Sequence, residues 1–483
     1  MPWPPRRGLP FLPLCAIRDR AQGKANPLLS RSSHECLRSD DPGVAPYLPA
    51  IADFTAGRDS PRDFLERCLA ALDGWEPRIG AFVALNLDEA RAAADRSTAR
   101  WRAGNPLSPI DGMPLGIKDI IETADMPTQN GSPLFAGFRS YRDAASVAAL
   151  REAGGVILGK TVTTEFAATE PRGTRNPWDS TRTPGGSSSG SAAAVGCGVI
   201  PVGLGTQVIG STLRPASFCG CYGFKPTFGA LNRGGSYDGL SQSATGMIAA
   251  SLPEAWQVAY EIVKRAGGDP GFPGLYGPAT PPSPARPRQL ALLETDGWAD
   301  ASANARRALE DALGRLTQAG IAIATRYDHA DIAAAETAIE GARQLSFAIN
   351  VWESRWPINT YSQRDASKLS EAMRDRLVQA EAMTIEDYRG LLIERQKRRA
   401  VYESLAPEFD ACIALAATGA APVGLASTGN PVFVVPASML GIPAISLPVL
   451  ADGGLPLGLR LIGFADRDAA LFSVAGGVLT VLR

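Results

Sequence analysis

The chain has 483 residues, 45% hydrophobic and 20% charged, with a formal net charge of −1. It is long enough for one large α/β domain or two to three ordinary ones, and apolar enough to bury a sizeable core. The near-zero charge argues against bulk electrostatic binding to nucleic acid or acidic membranes, and no apolar run reaches the roughly 18 residues of a membrane-spanning helix.

The opening stretch, "MPWPPRRGLPFLPLCAI", places Arg6 and Arg7 ahead of a short apolar run, as a signal peptide does. Pro10 and Pro13 interrupt that run, and no clean small-x-small cleavage site follows. Residues 1–48 read as an irregular or disordered extension, and 49–483 as the folded domain.

From about residue 49 the pattern becomes regular. Ser60-Pro61 caps an amphipathic helix, "PRDFLERCLAALDG", with Gly74 as its stop. "LDEARAAADRSTARWRAG" is a second helix, ending at Gly104. "DGMPLGIKDII" reads as a short buried strand running into a loop. "AASVAALREAGG" is a helix, followed by the buried strand "VILGKT". "VIPVGLGTQ" is strand-like, "PEAWQVAYEIVKRAGG" helical, and "ANARRALEDALGRLTQAG" with "IAIATRY" a helix–strand unit. "TPPSPARP" (280–287) is a linker or surface loop. Residues 331–406 are almost wholly helical by periodicity and are expected to cap a site formed by the core. "FDACIAL", "GIPAISLPVL" and "LGLRLIGF" return as strands. The alternation predicts an α/β fold with a substantially parallel sheet.

Residue counts narrow the chemistry. The seven cysteines are odd in number, and Cys219 and Cys221 are too close for a usual zinc spacing. They read as small buried hydrophobes in a reducing cytoplasm. The two histidines, His34 and His329, read as solvated loop or helix-start residues, which disfavours a Ser-His-Asp enzyme. Only seven of the 48 basic residues are lysines. Lys118, Lys160 and Lys225 nevertheless sit in apolar or glycine-rich settings, where burial can keep a lysine neutral and arginine stays charged. Lys160 and Lys225 are expected to satisfy backbone carbonyls or acidic partners. Asp119 and Glu165 are expected to be structural.

The stretch Thr183–Gly196, "TPGGSSSGSAAAVG", has linker composition but runs directly into an apolar segment that must be buried. It lacks the lysine of a Walker phosphate loop. "GSSSG" (186–190) meets the nucleophile-elbow pattern formally, with Ser188 at its centre, but the chain is short of histidine partners. A packed functional loop is the stronger reading. Ser188, Ser189 and Ser191 are expected to cap the helix that follows.

Here the sequence resembles the amidase signature family. The resemblance rests on "GGSSSGSAAAVG", "GTQVIGSTLRPASFCG" and "YGFKPT", with "PLGIKD", "GKTVTTEFA", "NPWD" and "GIPAISLPV" alongside. It covers about residues 49–483 and is densest over 111–229. It implies an amidase-signature fold, a mixed central β-sheet covered by helices on both faces. It also implies a Ser-cisSer-Lys triad with Ser211 as nucleophile, Ser187 as the bridging cis-serine and Lys118 as base. The backbone N–H groups of Val208, Ile209, Gly210 and Ser211 would form an oxyanion hole. The expected activity is hydrolysis of a small-molecule carboxamide, with no metal or organic cofactor, by a cytoplasmic monomer or homodimer. The alternatives are the glutamine-hydrolysing component of a tRNA-dependent amidotransferase (its A chain), and a catalytically silent binding protein on the same fold. The chain departs from the common pattern at Gln207, where many members carry Asp, and at Val208-Ile209, where Thr-Gly is common. These changes weaken a close analogy to the amidotransferase components; a backbone hole tolerates side-chain change. Acyl-pocket residues are expected from 331–406 and from the "LASTGNPVF" loop.

Overall fold

The computed structural model describes residues 42–483. The signal-like start, His34, Cys15 and Cys36 lie outside the described residues. Eleven strands form one sheet: β1 Phe82–Leu85, β2 Pro114–Lys118, β3 Val156–Thr161, β4 Val202–Gln207, β5 Tyr222–Lys225, β6 Ala244–Ala249, β7 Gln289–Leu292, β8 Ala322–Ala324, β9 Ala411–Leu415, β10 Ala444–Asp452 and β11 Leu455–Ile462. Their order is β1-β3-β2-β4-β6-β5-β10-β11-β9-β7-β8.

The sheet is mixed, as the resemblance implies, and less parallel than the helix–strand alternation alone suggests. The parallel pairings are β2 with β3 and β4, and β7 with β8 and β9. The other six are antiparallel. The alternation signal holds within each parallel group and fails in the middle. There β10 and β11 are joined by a tight turn at Gly453 (φ 61°) and Gly454 (φ 83°), and so short a connection allows only an antiparallel hairpin.

Period-2 side-chain alternation builds a core on each face. On β9, Ala411, Ile413 and Leu415 enter one apolar cluster and Cys412 enters another. The first cluster packs under helices Leu252–Ala266, Ala303–Gln318 and Asp468–Leu482. Helices Ser189–Gly196 and Val435–Leu440 contribute to the remaining clusters. The five described cysteines are all buried and free. Among the described residues no helix is long and apolar enough to cross a membrane.

The first amphipathic helix does not stop at Gly74. It runs Pro61–Ile79 and ends at Gly80, whose left-handed φ of 57° closes it. Continuing buries Trp75 and Ile79 on the same face as Leu72, and the Arg78 guanidinium lies 4.3 Å from the Trp75 ring centroid. That burial outweighs the roughly 1 kcal/mol a mid-helix glycine costs. Ser60 caps the helix as expected, accepting from Asp63 N. His329 caps helix Ala330–Ile339, its Nδ1 accepting from Asp331 N and its Nε2 lying 2.7 Å from Glu408.

The packed core reaches back to Ala45 and Tyr47. Tyr47 donates its hydroxyl to Asp111 O at 2.5 Å and its N–H to Glu254. Its ring centroid lies 5.3 Å from Phe54 and 5.0 Å from Phe64. Tyr47→Ala is expected to destabilise the fold by about 3–5 kcal/mol, the usual cost of deleting a buried aromatic ring. Urea denaturation measures this; a loss below about 1 kcal/mol would show that this segment contributes little.

Candidate active site

The site gathers at the ends of two parallel neighbours, β2 and β4, where α/β sheets commonly hold ligands. Lys118 is the last residue of β2. Its Nζ lies 2.7 Å from Ser187 Oγ and 2.8 Å from Thr206 Oγ1. Lys118 is fully buried, and desolvation pulls its amine down from the ordinary lysine value to about 7. The charge of Asp238 opposes this, but that carboxylate also accepts hydroxyl hydrogen bonds from Ser236 and Ser243.

Ser187 is reached through a cis Gly186–Ser187 peptide bond. The small residues after it let helix Ser189–Gly196 bed onto the sheet. A Cβ at Gly190 would lie 2.2 Å from Ala81 O, and one at Gly205 only 2.7 Å from Ser188 Oγ. The serine hydroxyls do not cap that helix, contrary to expectation: Ser188 occupies the N-cap position without a side-chain cap hydrogen bond. The hydroxyls instead satisfy neighbouring strand backbone. Ser188 Oγ accepts from Thr206 N, Ser189 Oγ donates to Val162 O and Ser191 Oγ donates to Leu204 O. Wedged between strands, these hydroxyls add to backbone bonding already in place, since Val162 O also accepts from Gly190 N.

Ser211 sits in the turn after β4 and, with Val208, Ile209 and Gly210, lines a cavity of about 490 Å³. Lys118 and Ser187 are buried and are not among the residues that line it. Ser188 N donates to Ser211 O at 3.3 Å. No side-chain hydrogen bond joins Ser187 to Ser211 among the described residues. The N–H groups of Val208, Ile209, Gly210 and Ser211 likewise have no hydrogen-bond acceptor among them. Gln207 holds the turn: its Oε1 accepts from Thr212 N and Leu213 N, and its Nε2 donates to Ser438 Oγ. A side-chain carbonyl thus takes the acceptor role that a carboxylate could fill.

Three residues of this arrangement escaped the sequence reading. Thr206 is the second partner of Lys118. Ser438 receives Gln207 from 231 residues away. Arg214 donates from Nη2 to Gly186 O at 2.7 Å and to Thr428 Oγ1 at 2.9 Å, tying the serine loop to the Ala426–Gly429 segment. Burial, with Arg343 nearby, lowers Arg214 to about 9. A hint of it lay in "STLRPAS", a single cation in an otherwise buried run. The other flagged groups have protein partners of their own. Lys160 binds Thr128 Oγ1, Pro127 O and Asp119. Lys225 donates to Pro226 O. Glu165 accepts from Ser370 N and pairs with Arg172.

The profile of the Amidase family matches residues 63–472. The A chain of the glutamyl-tRNA(Gln) amidotransferase of Chloroflexus aurantiacus (strain ATCC 29366 / DSM 635 / J-10-fl) is 34% identical over 489 aligned positions, spanning 88% of this chain and 94% of that protein. A crystal structure of an amidase superposes with a TM-score of 0.77 at 26% identity, covering 90% of this chain and 99% of the other. The peptide amidase of Stenotrophomonas maltophilia gives 0.71 at 26% identity, over 89% and 95%. Fold and comparisons together define an amide-hydrolysing enzyme. The chain belongs to the Amidase family.

Proposed function

We propose that the enzyme cleaves the C–N bond of a small-molecule carboxamide with Ser211 as nucleophile, Ser187 as proton relay and Lys118 as base. The observation that carries this reading is the buried Lys118 amine 2.7 Å from Ser187 Oγ. Neutral Lys118 donates an N–H to Thr206 Oγ1, which aims its lone pair at the Ser187 hydroxyl. As Lys118 takes the Ser187 proton, Ser187 takes that of Ser211, and Ser211 Oγ bonds to the amide carbon. The carbonyl π electrons move onto oxygen, where the unpaired N–H groups of Val208, Ile209, Gly210 and Ser211 stabilise the charge. Collapse breaks the C–N bond, and the relay returns the proton to the departing ammonia or amine. Water then attacks the acyl-enzyme through the same relay, releasing carboxylic acid and free Ser211. The two hydroxyls come into line when substrate fills the cavity, since catalytic hydrogen bonds often tighten only in the complex.

The substrate is a small molecule; a net charge of −1 gives no basis for a nucleic-acid or membrane partner. The five described cysteines, buried and free, suit a cytoplasmic enzyme. A second reading, the glutamine-hydrolysing component of a tRNA-dependent amidotransferase, draws support from the 34% identity to such a chain. Glutamine turnover that appears only with partner chains would favour it. Ammonia release by the isolated chain from a panel of simple amides tests the first.

The pH profile follows from Lys118. With its pKa at about 7, the neutral base falls roughly tenfold per pH unit below that value. The sign is therefore an increase: kcat/KM should climb through pH 7 and level off above about 8. Steady-state kinetics between pH 5 and 9 measure this, and a profile that falls through pH 7 would contradict a lysine base.

A further inference from the structure

We propose that Asp238 is a positioning residue of this reaction, its carboxylate serving as the counter-charge for the ammonium that Lys118 becomes on taking the relay proton. The proposal rests on the hydrolytic reading and adds a residue to it. Three placements bring Asp238 to the triad. Its loop is tied to the turn that follows Lys118: Tyr237 N donates to Ile120 O, Glu122 N donates to Gly235 O, and Ser236 bridges Ile121. Ser243, one residue ahead of β6, donates its hydroxyl to Asp238 Oδ2 at 2.6 Å. β6 pairs with β4 and sets Thr245 opposite Thr206, the second partner of Lys118. Asp238 also lines the same cavity as Ser211.

The Asp238 side chain is built in rather than solvated. The residue is 3% exposed, and Ser236 Oγ donates to its Oδ1 at 2.7 Å. Each carboxylate oxygen thus accepts one hydroxyl, yet Asp238 makes no ion pair among the described residues. A buried anion without a cation is costly. Lys118 is the converse, a buried amine that must carry a charge during turnover. As Ser211 bonds to the amide carbon, a positive charge appears on Lys118 Nζ and a negative one on the carbonyl oxygen. The oxyanion meets the N–H groups of the turn, and the ammonium meets the field of Asp238. When the proton passes to the departing amine, Lys118 is neutral again. Burial and the opposing Asp238 charge are the two influences on the resting amine, burial being the larger. The neighbouring charged groups are otherwise engaged. Asp119 pairs with Lys160, Glu165 with Arg172 and Arg233 with Asp269. Arg214 is held by Gly186 O and Thr428, and Glu353 by Ser241 and Tyr388. Arg376 faces the Phe347 ring.

The test titrates Lys118 itself by NMR. The chain has seven lysines, so isotope labelling of lysine Cε gives few signals, and the one lost in Lys118→Met belongs to Lys118. Asp238→Asn removes a charge that favours the ammonium, so the Lys118 midpoint should fall, by about one pH unit for an opposite charge close by. The rising limb of kcat/KM should move to lower pH by the same amount. Its plateau should drop about tenfold, because the base is weaker and the ammonium less stabilised. Asp238→Glu keeps the charge and should hold the midpoint closer to the wild-type value than Asp238→Asn does. If Asp238→Asn does not fold, Asp238→Ala carries the same expectation. A merely structural aspartate would lower activity at every pH and leave the Lys118 midpoint in place. A midpoint that stays or rises on loss of the charge therefore overturns the proposal, whatever the turnover. A midpoint that falls in a chain able to hydrolyse no amide would sink the hydrolytic reading and leave the pairing of Asp238 with Lys118 standing.

Discussion

Replacing Lys118 with arginine is expected to cost as much activity as replacing it with alanine, about 10²–10⁴-fold for loss of a single proton-transfer role. Arginine keeps the charge, the reach and the donors, but it cannot become neutral at working pH. A structural or purely electrostatic lysine would tolerate the change far better, so kcat/KM for the Arg and Ala variants separates the roles. The same residue has a signature in stability. Its pKa falls from 10.5 to about 7 on folding, so between those values the unfolded chain binds more protons at this position. The Lys118 contribution to stability therefore rises with pH across that window. At pH 7 keeping this amine buried costs about 4–5 kcal/mol. Lys118→Met should therefore be inactive yet more stable than the wild type, and its advantage should shrink as pH rises from 7 toward 10.5. Denaturant midpoints at two pH values read this directly. A Met variant that is less stable at pH 7 would mean that the hydrogen bonds to Ser187 and Thr206 outweigh the desolvation.

What could be read from the sequence followed from local chemistry. Lys118 stood out because lysine is scarce and its neighbours are apolar; the serine loop stood out because it ran into a segment that had to be buried. Both lie at the site. The missing parts depend on contacts distant in sequence. Thr428 meets Arg214 across 214 residues and Ser438 meets Gln207 across 231. No local pattern encodes such a meeting. The same limit applies to the elements. Gly74 looks like a helix stop until Trp75 and Ile79 are seen packed in the core. The alternating pattern looks parallel until the Gly453-Gly454 turn folds β11 back onto β10. The serine hydroxyls of 188, 189 and 191 look like caps until the strands they bridge come into view. The "LASTGNPVF" loop and the helices after residue 331 do reach the cavity wall, through Thr428, Phe347 and Arg376 among others. Periodicity could place those segments over the core but could not say which side chains would stand there without partners.

The two serines separate cleanly in a labelling experiment. Ser211 lines the cavity, whereas Ser187 is 1% exposed and hydrogen-bonded to Lys118. An activated fluorophosphonate should therefore mark Ser211 in the wild type, because this hydroxyl, unlike that of Ser187, lines the cavity within the turn that carries the unpaired N–H groups. Ser211→Ala should abolish the adduct and lower amide turnover by about 10⁶-fold, the scale seen when a nucleophile is removed from a working triad. Ser187→Ala should slow labelling and turnover about 10²–10⁴-fold, because the path from Ser211 to Lys118 is cut. The residual adduct should still map to Ser211 by peptide mass spectrometry. Ser188 provides the internal control: it is fully buried and bound to the Thr206 backbone, so Ser188→Ala should leave the adduct in place. An adduct on Ser187, Ser188 or Ser189 would move the nucleophile into the glycine-serine loop. A wild type that takes no label at all, while still binding amides, would make this chain a silent member of its fold.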